Sequence, residues 1–390
     1  MSIDTPAQPT TKVALDAIVS RDDLQRALAF VSVGVATRPP VPILAGVRLL
    51  AHGDWVTVMT SDFEVHAWES IAAPGATGSV LLQHAALLKI VKNLPKDALT
   101  VTIKVDDNRA VISDGRTIFK VPTMPEEDYP TPPGRAMFKV FQMPGAEFHA
   151  AISRVAPAAS RDDTLPTLMQ VCFRPDNHGT FLYATDRYRL ASYQVVDQSA
   201  DKARDQLVPA KILATVAGHL KTSTMVTVHT DNHRRVGGFY TSISDGRRGV
   251  TVLEHESDFP NIERLFPDTT NTTVDLNSED LLKALKQVDV ALVRGIPVRL
   301  DMAGDPILVK AGTGDDLQAE RPLTVAPVHH TSGSEVESVA FNPGFLIDAI
   351  KACGGSTTRM ALTHSFKPVT FTDPDVPNFR HLLVPIRFAQ

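Results

Sequence analysis

The sequence predicts an α+β chain of three similar domains, each with two helices packed on antiparallel β-sheets. Two sets of helix-like segments recur three times along the 390 residues. A strand-like run follows each copy of the second set, and equivalent residues keep a constant spacing between copies. A chain of this length usually exceeds one hydrophobic core, so two or three domains are also expected from size.

The first recurring segment carries apolar residues at relative positions 0, 3, 4 and 7, which lie on one face of a helix. Its copies begin at Arg21, Gly145 and Ser278. The four apolar columns are Leu24/Phe148/Leu281, Ala27/Ala151/Ala284, Leu28/Ile152/Leu285 and Val31/Val155/Val288. We predict an amphipathic helix at each of these three places.

The second recurring segment also has helical spacing and covers 82–94, 208–220 and 341–353. Its columns are Leu87/Leu213/Leu346, Ile90/Val216/Ala349 and Val91/Ala217/Ile350. Strand-like runs follow at 99–103, 225–228 and 360–363. Each copy therefore contributes a second helix and a strand behind it.

The spacing between copies is the same at unrelated landmarks, as tandem duplication requires. From copy one to copy two it is 124 residues for Leu24/Phe148, Pro42/Pro166 and Asp62/Asp186. From copy two to copy three it is 133 residues for Phe148/Leu281 and Val208/Phe341. We predict a disordered tail over 1–11 and domains over 12–134, 135–267 and 268–390, with boundaries at the Pro/Gly-rich 131–134 and the polar 268–273. Duplication by itself records ancestry and leaves the activity open.

The composition is that of a globular protein of a reducing compartment. The formal net charge of -5 is a sum over the whole surface, and it would disfavour binding to nucleic acid if the charge were spread evenly. One surface of an acidic protein can still be basic, so binding to nucleic acid stays open. No apolar stretch approaches a membrane span, and the N-terminus lacks a secretory pattern. Two distant cysteines, Cys172 and Cys353, predict neither a disulfide framework nor a zinc site. We expect a cytoplasmic protein.

Motifs for catalysis, cofactors or metals are weak in this sequence. The glycine-rich 312–315 lacks the lysine of a phosphate loop. His229 and His233 lack the pattern of a zinc helix, and His329-His330 is expected in a loop. Asp62 and Asp186 occupy equivalent positions, which favours a turn-forming role over paired catalytic carboxylates. We expect no catalytic residue, cofactor or metal.

Six motifs, in this order, are typical of one known family. They are RPPVPIL at 38–44, TSDFEV at 60–65, TMPEEDYP at 123–130, ATDRYRLA at 184–191, FNPGFL at 341–346 and LLVPIRF at 382–388. With them the chain resembles the β subunit of bacterial DNA polymerase III, the sliding clamp, from about Lys12 to Phe388. The resemblance implies the DNA clamp fold and a non-catalytic homodimeric ring, with twelve helices around double-stranded DNA and the sheets outside. It also implies processivity for the replicative polymerase, at the nucleoid.

The resemblance further implies weak, sequence-independent contacts between basic side chains and DNA phosphates. Arg38 and Lys211 match positions that touch DNA in the family. The full candidate set is Arg26, Arg38, Lys92, Arg161, Lys211, Lys283 and Lys351. For the five without a family counterpart, a solvated helix face is the alternative.

The family also binds short peptides of polymerases, clamp loaders and other partners in a hydrophobic pocket between its second and third domains. The matching positions are Leu168, Thr185, Tyr188, Arg189, Leu190, Pro260, Arg264, Leu265, Asn342, Phe345, Leu382, Val384, Pro385, Ile386 and Arg387. By composition alone many of them would pass as ordinary core. Arg187 stands where many relatives have a small residue, and Phe366 stands where some have a smaller aliphatic one, so we expect a shifted peptide preference or poor binding of pocket-directed inhibitors.

Two other functions remain as alternatives. A duplicate or resistance-type clamp would share the mechanics and differ in its partners or inhibitors, and Arg187 and Phe366 motivate it. An enzyme on the same scaffold would require a polar cleft with clustered carboxylates or histidines.

Overall fold

The computed structural model describes most of the chain. The described residues are 13–36, 38–131, 138–197, 204–231, 238–255, 257–267, 269–292, 296–312, 317–324, 328–330 and 336–387. The predicted tail over 1–11 and most of the predicted boundary at 131–134 lie outside these residues, as do His233 and Phe388.

The chain divides into two compact units. The first contains the described residues up to Phe148 together with those of Thr215–Glu256. The second contains the described residues of His149–Gln198, Arg204–Ala214 and Ser257–Gln390. The middle third of the sequence therefore contributes to both units, and the domain boundaries at 134 and 267 stay predictions.

Both recurring sets of segments form helices. The helices are α1 (Arg21–Val31), α2 (His84–Asn93), α3 (Gly145–Val155), α4 (Ala210–Leu220), α5 (Ser278–Val288) and α6 (Pro343–Cys353). The first set is confirmed, with helices that begin at the predicted residues. The second set was predicted to begin two residues too early in each copy, because the residues two positions before the helices, Leu82, Val208 and Phe341, are buried apolar residues of the preceding strands.

The predicted apolar columns form the core beneath the helices. Leu24, Phe148 and Leu281 are fully buried, and the other columns of the first set are buried as well. In the second set Ile90 is the exception, because it is only partly buried. The helical period thus located the buried face correctly in all three copies.

All strand pairs among the named strands are antiparallel. The first nine strands are β1 (Asp16–Ser20), β2 (Gly46–His52), β3 (Trp55–Ser61), β4 (Val65–Ala72), β5 (Ser79–Gln83), β6 (Thr100–Asp106), β7 (Arg109–Ser113), β8 (Ile118–Pro122) and β9 (Phe138–Met143). The next seven are β10 (Gln170–Asp176), β11 (Gly179–Thr185), β12 (Arg189–Val195), β13 (Gln206–Pro209), β14 (Val226–Thr230), β15 (Tyr240–Ser244) and β16 (Arg248–Leu253). The last nine are β17 (Thr272–Asn277), β18 (Val298–Asp301), β19 (Leu308–Ala311), β20 (Ala319–Pro322), β21 (Val328–His330), β22 (Ser338–Phe341), β23 (Thr357–Leu362), β24 (Val369–Thr372) and β25 (Phe379–Leu383).

The first unit holds two sheets. One has four strands in the order β1-β6-β7-β8, and the other has eight in the order β5-β2-β3-β4-β16-β15-β14-β9. Strand β4 of the first sequence copy pairs with β16 of the second copy, with Glu69 opposite Arg248 and Val65 opposite Val252. The larger sheet is therefore shared between two sequence copies.

The second unit repeats this arrangement. Its sheets have the orders β20-β19-β18-β22 and β13-β10-β11-β12-β25-β24-β23-β17-β21. Strand β12 of the second copy pairs with β25 of the third, with Arg189 opposite Leu383 and Tyr193 opposite Phe379. The loop predicted at His329-His330 is wrong, because these residues belong to β21 and pair with β17 at the edge of the sheet.

A hairpin turn of one design occurs four times among the described residues. An aspartate Oδ1 accepts the backbone N–H groups of the residues two and three positions later, and the residue directly after the aspartate has a positive φ. The aspartates are Asp62, Asp114, Asp186 and Asp245, and the residues that follow are Phe63 (φ 77°), Gly115 (φ 89°), Arg187 (φ 80°) and Gly246 (φ 86°). The turn-forming role predicted for Asp62 and Asp186 is confirmed.

Candidate functional site

A cavity of about 370 Å³ lies in the second unit, between the turn from β11 to β12 and the first turns of α6. Asp186, Arg187, Tyr188 and Arg189 form one side of it. The helix contributes Asn342, Gly344, Phe345 and Asp348, and the rest of the lining comes from Ala159, Ser160, Arg161, Asp162 and Leu165. Four of the predicted pocket residues, Tyr188, Arg189, Asn342 and Phe345, are thus brought together with Arg187 and Arg161.

Arg189 is the anchor of this cavity. Its side chain is only 4% exposed, with Nε donating to Asp186 Oδ2 at 2.8 Å and Nη1 donating to Asp348 Oδ2 at 2.6 Å. The guanidinium carbon also lies 4.5 Å from the centre of the Phe345 ring. Because both carboxylates and the ring engage it, Arg189 joins the turn to α6 and fixes the position of Phe345.

An aromatic pair gives the cavity its apolar surface. The rings of Tyr188 and Phe345 are stacked with centroids 6.2 Å apart and planes 26° from parallel. Tyr188 is 56% exposed, so one face of its ring is open to a ligand. The Asn342 side chain caps α6 by accepting the N–H of Phe345 at 3.2 Å, so the helix start is ordered. A preformed aromatic surface of this kind suits an apolar side chain of a ligand.

Arg187 occupies the left-handed position of its turn. Its backbone N–H donates to Thr185 Oγ1 at 3.2 Å, and its side chain is exposed. A side chain at positive φ costs about 1 kcal/mol relative to glycine, because Cβ approaches the neighbouring carbonyl group. Gly115 and Gly246 have the same conformation in two other turns. The turn itself therefore does not require an arginine at this position.

A buried histidine, His381, lies close to Arg189. His381 in β25 is fully buried, and burial together with the Arg189 charge lowers the pKa of His381 to about 3. The imidazole is therefore neutral at physiological pH. A neutral ring adds no second positive charge next to Arg189, which is consistent with the paired state of that guanidinium.

The C-terminal segment runs alongside the same turn. The N–H of Val384 donates to the carbonyl oxygen of Tyr188 at 2.9 Å, and the N–H of Ile386 donates to that of Ala340 at 2.8 Å. Pro385 between them is buried. The Arg387 guanidinium lies 5.9 Å from the centre of the exposed Phe366 ring. Phe366 therefore contacts a predicted pocket residue, although it does not line the cavity itself.

Other predicted pocket residues lie elsewhere in the second unit. Leu190 and Leu382 are opposite each other on β12 and β25 and belong to a buried cluster with Cys172, Tyr183 and Phe266, so they support the site from within the core. Thr185 is buried, and Leu168 is partly buried. Pro260, Arg264 and Leu265 are exposed residues. None of these residues belongs to the cavity lining.

Among the lining residues that sequence reasoning missed are two acidic ones. Asp348 holds the Arg189 guanidinium, and Asp162 also lines the cavity, with its Oδ1 accepting from Thr164. Asn342, Phe345 and Asp348 follow each other at intervals of three residues on one helix. That spacing places all three near one face, so it was a signal that could have identified Asp348.

The basic residues predicted to contact DNA are placed on both units. Arg38, Lys92, Arg161, Lys211, Lys283 and Lys351 are exposed, as phosphate contacts must be. Arg161 and Lys211 also line a second cavity, of about 510 Å³, with residues of α3 and α4. Lys283 forms an ion pair with Glu279 at 2.6 Å. That all of them face one channel stays a prediction.

Arg26 differs from the other basic candidates because its charge is already matched. Its Nε donates to Glu69 Oε1 at 2.9 Å, and Asp23 on the same helix accepts from Nη1. Burial alone would lower the pKa of Arg26, but the two carboxylates outweigh it and hold the pKa above its usual value. A contact between Arg26 and DNA would compete with these two pairs, and it too stays a prediction.

Across the described ranges, no group of three or more His, Cys, Asp and Glu residues could hold a metal ion. Among the helices of that same part of the chain, none is both long and apolar enough to cross a bilayer.

Comparison with known proteins gives matches along almost the whole chain. Residues 15–133, 142–238 and 263–387 match the N-terminal, central and C-terminal domains of the DNA polymerase III β subunit. The beta sliding clamp of Streptomyces coelicolor is 31% identical over 380 residues, covering 95% of this chain and 99% of the relative. The beta sliding clamp homolog GriR of Streptomyces muensis is 30% identical over 379 residues, covering 95% and 98%.

The fold has the same counterpart among solved structures. A sliding clamp from Pseudomonas aeruginosa, crystallised with griselimycin, superposes with a TM-score of 0.86 at 21% identity, over 96% of this chain and 100% of that one. The fold, the three matched domains and the identity to sliding clamps lead to one assignment. The chain belongs to the family of the DNA polymerase III β subunit, the sliding clamps.

Proposed function

We propose that two copies of this chain close into a ring around duplex DNA and tether the replicative polymerase and other replication and repair factors to it. The tether works through effective concentration: a polymerase that releases the primer end stays near it, because the ring cannot leave the DNA laterally. No chemical step is required of the clamp, so we propose a non-catalytic subunit without cofactor or metal. In the cell we place it at the nucleoid, in the cytoplasm.

The observation that carries the proposal is the preformed cavity beside the turn from β11 to β12. The stacked Tyr188 and Phe345 rings offer an apolar surface, and the Arg189 pairs hold that surface in position before any ligand arrives. Preorganisation lowers the entropy lost on binding, which suits a short linear peptide that is itself disordered beforehand. We propose that polymerases, clamp loaders and other partners insert such peptides here.

The contact with DNA is proposed to be electrostatic and mobile. Exposed side chains such as Arg38, Lys92 and Lys211 can meet phosphates without reading bases, which lets the ring slide. We propose that each chain supplies three domains, 12–134, 135–267 and 268–390, so that two chains make the six segments of the ring.

The ring is tested by topology. The full-length protein is loaded on a nicked circular plasmid with a matching clamp loader, and the plasmid is then cut once. We expect retention on the circle, release after cutting, and retention on cut DNA whose ends are blocked by bound streptavidin. Equal retention on open linear DNA would show ordinary binding and contradict encirclement.

The pocket is tested separately by fluorescence anisotropy with a labelled clamp-binding peptide. We expect Phe345→Ala to weaken binding about tenfold, the effect typical of an interface hot spot. The matched control is Phe63→Ala, which removes an exposed aromatic residue from the first unit and should leave binding unchanged. Equal affinities for the wild type and Phe345→Ala would exclude this cavity as the binding site.

A second candidate function is a duplicate or resistance-type clamp with altered partner or inhibitor binding. The observation that favours it is Arg187, a charged residue held at positive φ in the cavity lining. Affinity for griselimycin separates the two: a housekeeping clamp should bind the compound tightly, and a resistance-type clamp should bind it poorly.

A further inference from the structure

Comparison of the four recurrent turns singles out Arg187, whose side chain is not needed for the backbone conformation of its turn. Gly115 and Gly246 fill the left-handed position in two turns, whereas Phe63 and Arg187 fill it in the other two. The aspartate makes the same pair of backbone hydrogen bonds in each case. Because glycine satisfies this turn without strain, the arginine must be explained by what its side chain does.

The Arg187 side chain is available to a ligand. Arg189 is taken up by Asp186 and Asp348, but among the residues that the structure describes no carboxylate lies within the 4.0 Å of an ion pair with Arg187. The hydroxyl and N–H of Thr164 donate to Oδ1 of Asp162, another acidic residue of the lining, and lower the pKa of its carboxyl. The positive charge of Arg187 lowers that pKa further, without forming an ion pair. Arg187 is thus exposed, is not in an ion pair with any described carboxylate, and lines the same cavity as Tyr188.

We propose that Arg187 is a specificity-determining residue of the pocket and selects peptides that carry a carboxylate beside their apolar anchor. This inference rests on the proposed peptide-binding function and names the class of peptide. The anchor packs on Tyr188 and Phe345, and a glutamate or aspartate next to it meets the guanidinium of Arg187. Arginine suits this task because its planar fork pairs with carboxylate oxygens and cannot be deprotonated at physiological pH.

The preference is set by an exposed ion pair, so it is modest and depends on salt. Exposed pairs contribute enough for about a fivefold difference in affinity at low ionic strength. At an ionic strength of about 1 M the Debye length falls to about 3 Å, and the preference should nearly vanish. A preference due to shape alone would persist in salt.

The test uses short fluorescein-labelled peptides with one large apolar anchor each. Each is made in matched Glu and Gln forms, with the exchange placed in turn at every position next to the anchor. For the wild type at low salt, we expect at least one Glu form to bind about fivefold more tightly than its Gln form. Arg187→Gly should bring this ratio to about one.

The matched control is Phe63→Gly, which relieves the same backbone strain in an equivalent turn of the other unit. Both glycine variants should raise Tm by about 2 °C, and only Arg187→Gly should change the Glu/Gln ratio. Arg161→Gln removes the other unpaired guanidinium of the lining and should leave most of the ratio in place.

The outcomes distinguish a failure of the selectivity assigned to Arg187 from a failure of the proposed peptide binding. Equal binding of every Glu and Gln pair by the wild type, or an unchanged ratio in Arg187→Gly, overturns the inference while peptide binding stands. A ratio lost in Arg161→Gln instead assigns selectivity to Arg161 and overturns it as well. If neither form binds the wild type at all, the proposed peptide pocket itself fails, and the inference with it.

Discussion

Replacing Asp348 by asparagine should weaken both the fold of the second unit and its peptide binding. Asp348 Oδ2 accepts from the nearly buried Arg189 at 2.6 Å, and the Asp348 side chain is itself 33% exposed. Asn keeps the shape but loses the negative charge, so an ion pair becomes a hydrogen bond from a charged donor to a neutral acceptor. Exposed ion pairs contribute up to about 1 kcal/mol, and this pair has one nearly buried partner, so we expect a loss of about 1 kcal/mol.

The same change should act on the ligand surface. Arg189 lies over Phe345, which is three residues before Asp348 on the same helix, so a looser guanidinium leaves the ring less fixed. We expect peptide affinity to fall about threefold to fivefold, since part of the preorganisation is lost. Urea unfolding gives the stability change from the shift in midpoint at constant slope, and anisotropy gives the affinity.

The matched control is Glu279→Gln, which makes the same acid-to-amide exchange in an ion pair. Glu279 and Lys283 meet at 2.6 Å on α5, but both side chains are largely exposed. Exposed ion pairs on a helix contribute little to stability, so this variant should change the free energy of unfolding by less than half as much. If Asp348→Asn matches Glu279→Gln in stability and the wild type in peptide affinity, the anchoring role assigned to Asp348 is refuted.

Two further predictions concern stability. Tyr129 is buried, and its hydroxyl donates to Gly46 O at 3.0 Å and accepts from Ser61 N at 2.9 Å. Tyr129→Phe should lower the free energy of unfolding by about 2 kcal/mol, measured in urea, because two buried backbone groups lose their partner; a change below about 0.5 kcal/mol would contradict this. The Arg321 guanidinium at 2.6 Å lowers the pKa of Asp280 below its usual 3.8. The ion pair therefore stabilises the folded protein above pH 3.8, and this stabilisation is lost as the pH falls through the lower pKa of the folded state. The urea midpoints of the wild type and Asp280→Asn should converge at acid pH. A difference that stays constant with pH would contradict this.

The helices were predictable because each carries its own signal. An apolar face that repeats every three to four residues depends only on local sequence, and Leu24, Phe148 and Leu281 mark it at equal spacing. The starts of the second set were misplaced because Leu82 and Val208 are apolar for another reason, as buried ends of strands.

The shared sheets were not predictable, because strand pairing is decided by residues far apart in sequence. Nothing local in 65–72 indicates that β4 will pair with 248–253, and β21 was assigned to a loop since it is short and polar.

The site was predictable only in part. Tyr188 and Phe345 came from the family resemblance, since an exposed aromatic residue has no periodic signature. The strained backbone at Arg187 could not be inferred either, because φ depends on the turn that Asp186 builds.

The pairing of β4 with β16 and of β12 with β25 has a consequence for dividing this chain into pieces. A fragment that ends near residue 134 would keep β4 but lose its partner, and a fragment that ends near 267 would do the same to β12. Each would expose a long row of backbone donors and acceptors along a strand that is mostly buried in the intact protein. Such bare edges are templates for aggregation. The ancestral duplicates have thus become mutually dependent, and expression of a single third should require a designed mutation to protect the severed edge.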